Sequence, residues 1–337
     1  MAQSINAGNK GLINLGNTCY MNSVLQCLSH LLTFHPKNED FFNECKTLED
    51  GLMYEWFQFQ RKMWSNENSE IHTPMNLLRC FKKICSEKDL YFENFNQNDV
   101  DEFLTIFLDL LHESIKRKVT INLRNKKNSD EASKIVVKGF ETWKRFYEND
   151  YSYIVENFYS QLLCLTICPK CYYFTSNHDP IQVISLEIPD NAETIYDCFD
   201  NYTKKKILDK DNMWKCDKCN QKVQPHQKTL FFKPSDILII LLKRYSSNLR
   251  KLTRFIQYPM NLDLKDYNKN YGTEKPNIYS LNGFCIHGGS LGGGHYYAVS
   301  KNFLDKRWYE YNDSSVNRIQ AKEVLKYTPY LFFYKRI

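Results

Sequence analysis

The periodicity of apolar residues changes once along this 337-residue chain, and the change restricts the folds available to it. Up to about residue 115, apolar residues recur at the spacing of a helix face, as at Val24, Leu28 and Leu31. From about residue 155 the apolar runs are short and separated by Pro, Asn and Asp, as around residues 237–242, which is typical of strands. We therefore predict an α+β architecture, with helices first, a sheet second and a cleft between them.

Two of the helical patterns follow residues that can cap a helix. Asn17 and Thr18 precede the first pattern, and Asn98 and Asp99 precede the second. Side chains of these types accept hydrogen bonds from the free N–H groups of a first helical turn. We expect both helices to be capped in this way, which places Cys19 at a helix N-terminus.

The segment 116–138 is basic and polar, with the sequence KRKVTINLRNKKNSDEASK through most of its length. Such a composition is typical of a solvated insertion with weak structure. We therefore expect this segment to lie outside the packed core, and it is the one place where we would look for a docking partner.

Length and composition favour a folded, soluble protein. Hydrophobic residues make up 42% of the chain and aromatic residues 15%, which is more apolar area than a disordered chain supplies. The net charge of +6 is small for this length, so charge alone does not favour nucleic-acid binding. The length is compatible with one large domain or two ordinary ones.

The chain contains twelve cysteines, an even number that would also suit disulfides. The first eleven residues contain no apolar run that could serve as the core of a secretory signal. The longest aliphatic run, residues 237–242, is far shorter than the ~20 residues that cross a bilayer. We therefore expect an intracellular protein, cytoplasmic or nuclear, with reduced thiols and no membrane partner.

Four of the cysteines form two closely spaced pairs, Cys168 with Cys171 and Cys216 with Cys219. Four thiolates arranged as two Cys-x-x-Cys arms suit tetrahedral zinc. A single arm could be a redox motif, and four cysteines could form two disulfides, but paired arms in a reducing compartment favour a structural zinc ion. A zinc ribbon that binds nucleic acid would have the same pattern.

Cys19 has the setting of a nucleophile. Cysteine attack on a carbonyl needs a thiolate, a base, a residue that orients the base, and donors for the oxyanion. A helix N-terminus supplies N–H groups and a positive dipole end, which both favour the thiolate. A buried structural thiol at the start of an apolar helix would have the same local pattern.

The surrounding sequence decides between these readings of Cys19. Residues 11–28, GLINLGNTCYMNSVLQCL, resemble the cysteine box of the ubiquitin-specific proteases. The resemblance implies that Cys19 is the nucleophile and that Asn14, five residues before it, donates to the oxyanion. A neutral amide can stabilise a developing negative charge without competing for the proton.

The base is expected to be a distant histidine, because such residues converge in space rather than in sequence. His295 ends the glycine-dense segment GGSLGGGHYYAV, which resembles the histidine box of the same family. The glycines at 292–294 remove side chains and allow another backbone to approach closely. We assign His295 as the base; His287, eight residues earlier, has the setting of an ordinary strand or loop residue.

The residue that orients the base should follow on the next strand. The sequence WYEYNDSSV at 308–316 resembles the third box of the family, although the usual Asp after the aromatic residue is replaced by Asn312, with Asp313 next. We assign the orienting role to Asn312, whose side-chain carbonyl can accept from His295. Asp313 is the second candidate, either for that role, for holding a water near the oxyanion or for supporting the imidazolium.

The segment QNDVDEFL at 97–104 resembles the QQDAxEFL segment of the family. Asp99 and Glu102 are three residues apart, which would place both carboxylates on one helix face. The resemblance implies that this acidic pair binds the two arginines of the ubiquitin tail. The full set of expected substrate-binding residues is Gln97, Asp99, Glu102, Gly293, Gly294 and Tyr296.

The resemblance covers about residues 11–335 and implies a papain-like fold. A polar leader at 1–10 would precede a single catalytic domain at 11–336, with a mainly helical thumb at 11–155, zinc-bearing fingers at 156–230 and a β palm at 231–336. The implied function is a monomeric deubiquitinating protease that acts on ubiquitin and ubiquitinated proteins and binds no nucleic acid. An inactive ubiquitin-binding module, or a protease for another ubiquitin-like modifier, is the alternative.

Overall fold

The first half of the chain is largely helical, in agreement with the apolar spacing. The computed structural model describes residues 7–65, 70–90, 98–123, 130–245, 250–268, 275–290 and 293–337, so that Gln97, Gly292 and residues 124–129 lie outside the described part. The helices are α1 (Cys19–Ser29), α2 (Glu39–Cys45), α3 (Gly51–Met63), α4 (Met75–Glu87), α5 (Val100–Ile115), α6 (Glu131–Tyr147), α7 (Tyr153–Phe158), α8 (Ile195–Thr203) and α9 (Ala321–Val324). Within the described ranges, none of them has both the length and the apolar character needed to cross a membrane.

The strands begin mainly after residue 160 and form separate sheets. They are β1 (Gly11–Leu12), β2 (Ile71–His72), β3 (Ser160–Ile167), β4 (Phe174–Ile181), β5 (Val183–Glu187), β6 (Lys206–Ile207), β7 (Trp214–Lys215), β8 (Lys222–Val223), β9 (His226–Lys233), β10 (Ile237–Lys243), β11 (Asn261–Asp263), β12 (Ile278–Ser290), β13 (Gly293–Lys301), β14 (Trp308–Asn312), β15 (Ser315–Ile319) and β16 (Leu331–Arg336). The predicted mixed helix and sheet architecture is therefore confirmed.

The largest sheet, which we call the palm sheet, has the strand order β15-β14-β13-β12-β16-β10-β5, and β11 pairs with β12 at its side. Strands β10 and β5 are parallel, whereas the other neighbours along this order are antiparallel. A second sheet, the finger sheet, has the order β4-β3-β9-β6, and a short β7–β8 ribbon lies apart from both.

The residues predicted to form the fingers, 156–230, also contribute to the palm sheet, because β5 pairs with β10. Ile184 and Leu186 of β5 are fully buried in the same apolar cluster as Ile240 and Leu242 of β10. This alternating burial explains the position of β5, since one face of the strand packs into this cluster. The contiguous boundaries expected from the sequence therefore do not describe the sheets.

Helix α1 lies between the helical layer and the palm sheet. All eleven of its residues are buried, and it contacts β12, β13 and β14. On its other side are apolar residues of α3 and α5. There Trp56 of α3 packs edge-on against Phe34, with ring centroids 5.3 Å apart, and against Phe107 of α5, with ring centroids 5.5 Å apart. A helix that is buried all round is fixed by packing on every side. Its first residue, Cys19, is therefore held in place by the core.

The two predicted helix caps were wrong. Thr18 and Asp99 do occupy the N-cap positions of α1 and α5, but neither side chain accepts from its own helix. The Thr18 hydroxyl accepts instead from the backbone N–H of Leu15 at 2.9 Å. The Asp99 carboxylate accepts from two tyrosine hydroxyls of the palm. A bond within the preceding loop replaces the cap at Thr18, and long-range contacts to the palm replace the cap at Asp99.

The prediction of weak structure at 116–138 was also wrong from residue 131 onwards, where α6 begins. Asp130 caps this helix by accepting from the backbone N–H of Ser133 at 2.6 Å. Ile135 is buried in a cluster with Leu163 and Phe232 of the finger sheet. The lysines that dominate the composition occupy the solvent side of the helix, which hid its apolar face from a reading based on composition.

Replacing Gly139 tests whether α6 packs against the finger sheet. A Cβ at this position would collide with the Phe232 ring and approach the His178 imidazole. In an exposed helix Gly→Ala stabilises by about 1 kcal/mol, but overpacking costs about 1–3 kcal/mol. We expect Gly139→Ala to lower the free energy of unfolding measured in urea. The control Lys134→Ala, at an exposed position of the same helix, should change the free energy of unfolding by less than about 0.5 kcal/mol. A Gly139→Ala variant that is more stable than the wild type would contradict the packing of α6 on the finger sheet.

Candidate active site

The loop before α1 is tightly turned and is stabilised by one asparagine. Gly16 and Asn17 both have positive φ, at 97° and 52°, which reverses the chain just before Cys19. The side-chain oxygen of Asn14 accepts from the backbone N–H groups of Gly16 at 3.1 Å and of Thr18 at 3.0 Å. These bonds fix the orientation of the Asn14 amide, so its NH₂ group points away from the turn.

Asp313 joins this loop to the palm sheet. One carboxylate oxygen accepts from Nδ2 of Asn14 at 2.9 Å, and the other accepts from Nδ2 of Asn22 at 2.8 Å. The backbone carbonyl of Asp313 also accepts from the N–H of Leu12 at 2.8 Å. The carboxylate is therefore directed at the residue expected to hold the oxyanion.

Asn22 was not identified from the sequence. It lies one turn after Cys19 on α1, is 3% exposed, and also donates weakly to the carbonyl of Ile13 at 3.3 Å. The signal that could have found it is an amide in a helix rich in apolar residues, because a buried amide needs hydrogen-bond partners. Its partner, Asp313, lies 291 residues away in the sequence.

His295 and Asn312 meet across adjacent strands. Nε2 of His295, on β13, lies 2.6 Å from the side-chain oxygen of Asn312 at the end of β14. An amide oxygen can only accept, so Nε2 carries the proton in this bond and Nδ1 is left free to act as a base. Of the two candidates, the structure brings Asn312 to His295 and directs Asp313 towards Asn14.

The Cys19 thiol is 4% exposed, and burial raises its pKa above the usual thiol value. The backbone N–H groups of Tyr296, Tyr20 and Cys19 itself act in the opposite direction, whereas the charge of Asp313 adds to the rise. The helix N-terminus therefore favours the thiolate as expected, but burial outweighs it. The thiol needs a base that takes its proton, and β13 brings the residue after His295 into contact with it.

Asp99 and Glu102 differ in their surroundings. As the N-cap residue, Asp99 has extended rather than helical backbone angles, with φ −81° and ψ 147°. Its carboxylate accepts from the hydroxyl of Tyr296 at 3.2 Å and of Tyr330 at 2.8 Å, whereas Glu102 is exposed. The double acidic site that binds the substrate stays a prediction.

The acidic neighbour of Asp99 is Asp101. Burial raises the pKa of Asp101 to about 6, and the charge of Asp99 and a hydrogen bond to it add to the rise. Like charges held close together disfavour the ionised form, so Asp101 keeps its proton to a higher pH than an isolated carboxyl group does.

Gly293 and Gly294, the two residues directly before His295, differ in their surroundings. A Cβ at Gly294 would collide with the imidazole of His287, whereas one at Gly293 would meet open space. Close approach therefore requires glycine at 294 but not at 293. Gln97, the remaining expected substrate-binding residue, lies outside the described residues.

The four paired cysteines converge at the far end of the finger sheet. Their sulfur atoms all lie within 4.8 Å of one another, with Cys168 and Cys219 3.8 Å apart and Cys171 and Cys216 3.5 Å apart. A tetrahedron of thiolates about 2.3 Å from a metal has edges of about 3.8 Å. The donor set and its spacing therefore fit a tetrahedral metal ion.

The two arms of this cluster have the same turn. The N–H of Tyr172 donates to the carbonyl of Cys168 and that of Asn220 to the carbonyl of Cys216, and both donors have positive φ, at 58° and 56°. In the first arm, the backbone N–H groups of Lys170 and Cys171 point towards the sulfur of Cys168, and that of Tyr173 points towards the sulfur of Cys171, which favours thiolates. This repeated geometry supports a metal site rather than two unrelated cysteine pairs.

Comparison with known proteins identifies the family. Residues 10–334 match the family model described as ubiquitin carboxyl-terminal hydrolase, which covers nearly the whole chain. The chain belongs to this family. The resemblance drawn from the cysteine, histidine and third boxes is thereby confirmed.

Relatives within the ubiquitin carboxyl-terminal hydrolase family match over almost the full chain. Ubiquitin carboxyl-terminal hydrolase 2 of Homo sapiens is 31% identical over 97% of this chain and 55% of its own length. The corresponding protein of Gallus gallus is 31% identical over 97% of this chain and 93% of its length. Ubiquitin carboxyl-terminal hydrolase Usp2 of Drosophila melanogaster is 29% identical, and the chain spans only 34% of it.

Solved structures of the family share the fold. The SAGA DUB module Ubp8/Sgf11/Sus1/Sgf73 bound to monoubiquitin matches with a TM-score of 0.78 and 28% identity, over 100% of this chain and 71% of the matched chain. The module bound to ubiquitin aldehyde matches with a TM-score of 0.77 and 28% identity. The predicted fold class is therefore confirmed by structures of deubiquitinating modules.

Proposed function

We propose that the chain is a deubiquitinating cysteine protease that hydrolyses the peptide or isopeptide bond after the C-terminal glycine of ubiquitin. The observation that carries the proposal is the 2.6 Å contact between His295 and Asn312, which leaves Nδ1 of the imidazole free on the strand that contacts the Cys19 thiol. Family membership and the ubiquitin-bound structures of similar modules add support.

The first half of the reaction follows from the protonation states. Nδ1 of His295 takes the proton of Cys19, and the resulting thiolate attacks the carbonyl carbon of the terminal glycine. The imidazolium that forms is stabilised by its Nε2–H bond to Asn312. Because burial raises the pKa of Cys19, the thiol keeps its proton until the imidazole accepts it.

The oxyanion of the tetrahedral intermediate needs donors already in place. Asn14 uses one hydrogen of its NH₂ group to bond Asp313, and its second hydrogen is available for the oxyanion together with the backbone N–H of Cys19. Preorganised donors of this kind contribute about 10²–10³ in kcat. We therefore assign Asp313 to positioning Asn14 rather than to orienting the base.

The second half of the reaction releases both products. His295 returns its proton to the amine, which leaves, and ubiquitin remains bound to Cys19 as a thioester. Water, deprotonated by the same Nδ1, then attacks the thioester carbonyl and the bond to the Cys19 sulfur breaks. Ubiquitin leaves with a free carboxylate, and Cys19 takes the proton back from His295. One base thus serves both steps, and Asn312 keeps it in one tautomer throughout.

The substrate tail is proposed to run between the thumb and the palm towards Cys19. Asp99 would bind an arginine of the tail, with Tyr296 and Tyr330 sharing its carboxylate, and Glu102 would supply a more exposed contact. Gly294 allows the imidazole of His287 to pack against the backbone, and Gly293 borders the open space that we propose for the tail. Gln97 remains part of this proposal.

Specific observations count against the two alternative functions. An inactive ubiquitin-binding module would not need the bond between His295 and Asn312, nor the fixed amide of Asn14. A protease for another ubiquitin-like modifier would use the same site, but the similar modules are bound to ubiquitin or to ubiquitin aldehyde.

We propose that the chain acts as a monomer in the cytoplasm or nucleus, without nucleic-acid or membrane partners. None of the twelve cysteines forms a disulfide, which supports a reducing compartment.

We also propose that the four clustered cysteines, Cys168, Cys171, Cys216 and Cys219, hold a structural zinc ion. Zinc accepts four thiolates in tetrahedral geometry and would cross-link the two arms at the tip of the fingers. With all four positions taken by sulfur, the ion would have no open position and no part in hydrolysis. Its contribution is to the folding of the fingers, which include β7 and β8.

Reaction with ubiquitin that carries a C-terminal electrophile tests the proposed activity. We expect the wild-type chain to form a covalent adduct of one ubiquitin per chain, visible as a mass shift, and Cys19→Ala to form none. Cys80→Ala, which removes a partly exposed thiol on α4, is the matched control and should react like the wild type. A folded wild-type protein that forms no adduct, or an adduct that persists in Cys19→Ala, would overturn the proposal.

Metal analysis tests the zinc site. We expect one zinc ion per purified chain by mass spectrometry, and a lower unfolding temperature after chelation, because the binding energy of a structural zinc is folding energy. Cys216→Ser should lose the metal, whereas Cys80→Ser should retain it. A wild-type chain that is free of metal and is unaffected by the chelator would rule the site out.

A further inference from the structure

The end of β12 is paired with the part of β13 that carries the base. In the antiparallel register, Gly288 lies opposite His295 and Gly289 lies opposite Gly294. Strands joined in this way move together, because each backbone position is tied to its partner across the ladder. The position of the β12 end therefore determines where the imidazole of His295 lies.

Lys251 forms hydrogen bonds to this end of β12. Its ammonium group donates to the backbone carbonyls of His287 at 2.7 Å and of Gly289 at 2.9 Å, the residues on either side of Gly288. Gly289 has a φ of 101°, a conformation that side chains other than glycine rarely adopt. A charged donor on two carbonyls holds the strand end in this unusual conformation.

Lys251 and Tyr245 also fix the protonation of His287. Nδ1 of His287 lies 2.7 Å from the Tyr245 hydroxyl and 3.3 Å from the Lys251 ammonium. An ammonium group can only donate, so Nδ1 is an acceptor and the ring proton is on Nε2.

The surroundings of His287 keep it neutral. Burial lowers the pKa of His287 to about 4, with the charge of Lys251 acting in the same direction. The charge of Asp99 acts to raise this pKa, whereas the charge of His295 acts to lower it further. The neutral ring packs on Tyr296 with centroids 4.4 Å apart and fills the space beside Gly294. His287 thus contacts the residues on both sides of the catalytic base.

We propose that Lys251 and Tyr245 are positioning residues for the catalytic strand. They bind the end of β12 and keep His287 in one tautomer, and so fix the position of the His295 imidazole before the substrate binds. This inference rests on the proposed function and adds two residues to it that do not contact the reacting atoms. Neither residue was among those expected from the sequence.

Kinetics of the full chain on ubiquitin with a fluorogenic C-terminal amide provide the first test. We expect Lys251→Met to lower kcat about tenfold with KM changed less than about twofold, because misplacing a base by a fraction of an ångström slows chemistry more than binding. Lys251→Arg should recover most of this loss, since a guanidinium can donate to both carbonyls. Tyr245→Phe should lower kcat by about two- to fivefold. Lys265→Met, which removes an exposed lysine paired with Asp263, should leave kcat unchanged.

The tautomer of His287, read from the nitrogen chemical shifts of its ring, provides a test that does not depend on activity. We expect the Nε2–H form between about pH 6 and 8 in the wild type and in Tyr245→Phe, where the Lys251 ammonium still donates to Nδ1, and a mixture of tautomers in Lys251→Met. If Lys251→Met fails to fold, Tyr245→Phe and this spectrum decide. A wild type without hydrolase activity would refute the proposed function; an active wild type with His287 protonated on Nδ1, or with unchanged kcat in both variants, would refute this inference alone.

Discussion

The burial of α1 against the palm sheet is the contact on which the rest of the site depends. The helix is enclosed on every side, so its N-terminal residue cannot shift without disturbing the core. Polar contacts at two points fix its direction. The His30 ring lies 2.7 Å from the Tyr311 hydroxyl near its end, and Asn22 donates to Asp313 near its start. Cys19 is therefore placed by about sixteen ångströms of buried helix rather than by its own loop.

Two adjacent residues of one turn then serve two different parts of the site. Asn312 ends β14 and accepts from His295, whereas Asp313 has a φ of 47° and turns its carboxylate towards Asn14. The change in backbone direction between them lets neighbouring side chains point to opposite sides of the reaction. The base and the oxyanion donor are thus oriented from the same turn of the palm, while Cys19 comes from the buried helix.

Much of this arrangement could be predicted from the sequence, because it is carried by local patterns. Apolar spacing predicted α1, α5 and the palm strands, and the paired cysteines predicted a cluster whose sulfur atoms do converge. The sequence also favoured Asn312 over Asp313 as the partner of His295, and their geometry agrees with that assignment. These features depend on neighbouring residues or on motifs with fixed spacing.

What could not be predicted depends on contacts between distant residues. Asp99 is a plausible helix cap in isolation, and only the palm tyrosines explain why it caps nothing. Lys251 lies outside every motif, and its role is visible only because β12 ends beside it. Helix α6 was missed because its lysines dominate the composition while Ile135 packs on a sheet formed later in the chain. Local propensity is overridden in each case by tertiary packing.

Double-mutant cycles on kcat test the division of roles between Asn312 and Asp313 most directly. The cycle of Asn14→Ala with Asp313→Ala should show strong coupling, with the double variant about as slow as the slower single one, because both changes disable the same oxyanion donor. The cycle of Asn312→Ala with Asp313→Ala should be additive within about 0.5 kcal/mol. Coupling of Asp313 to Asn312, together with additivity between Asp313 and Asn14, would show instead that Asp313 acts through the base and would contradict the account.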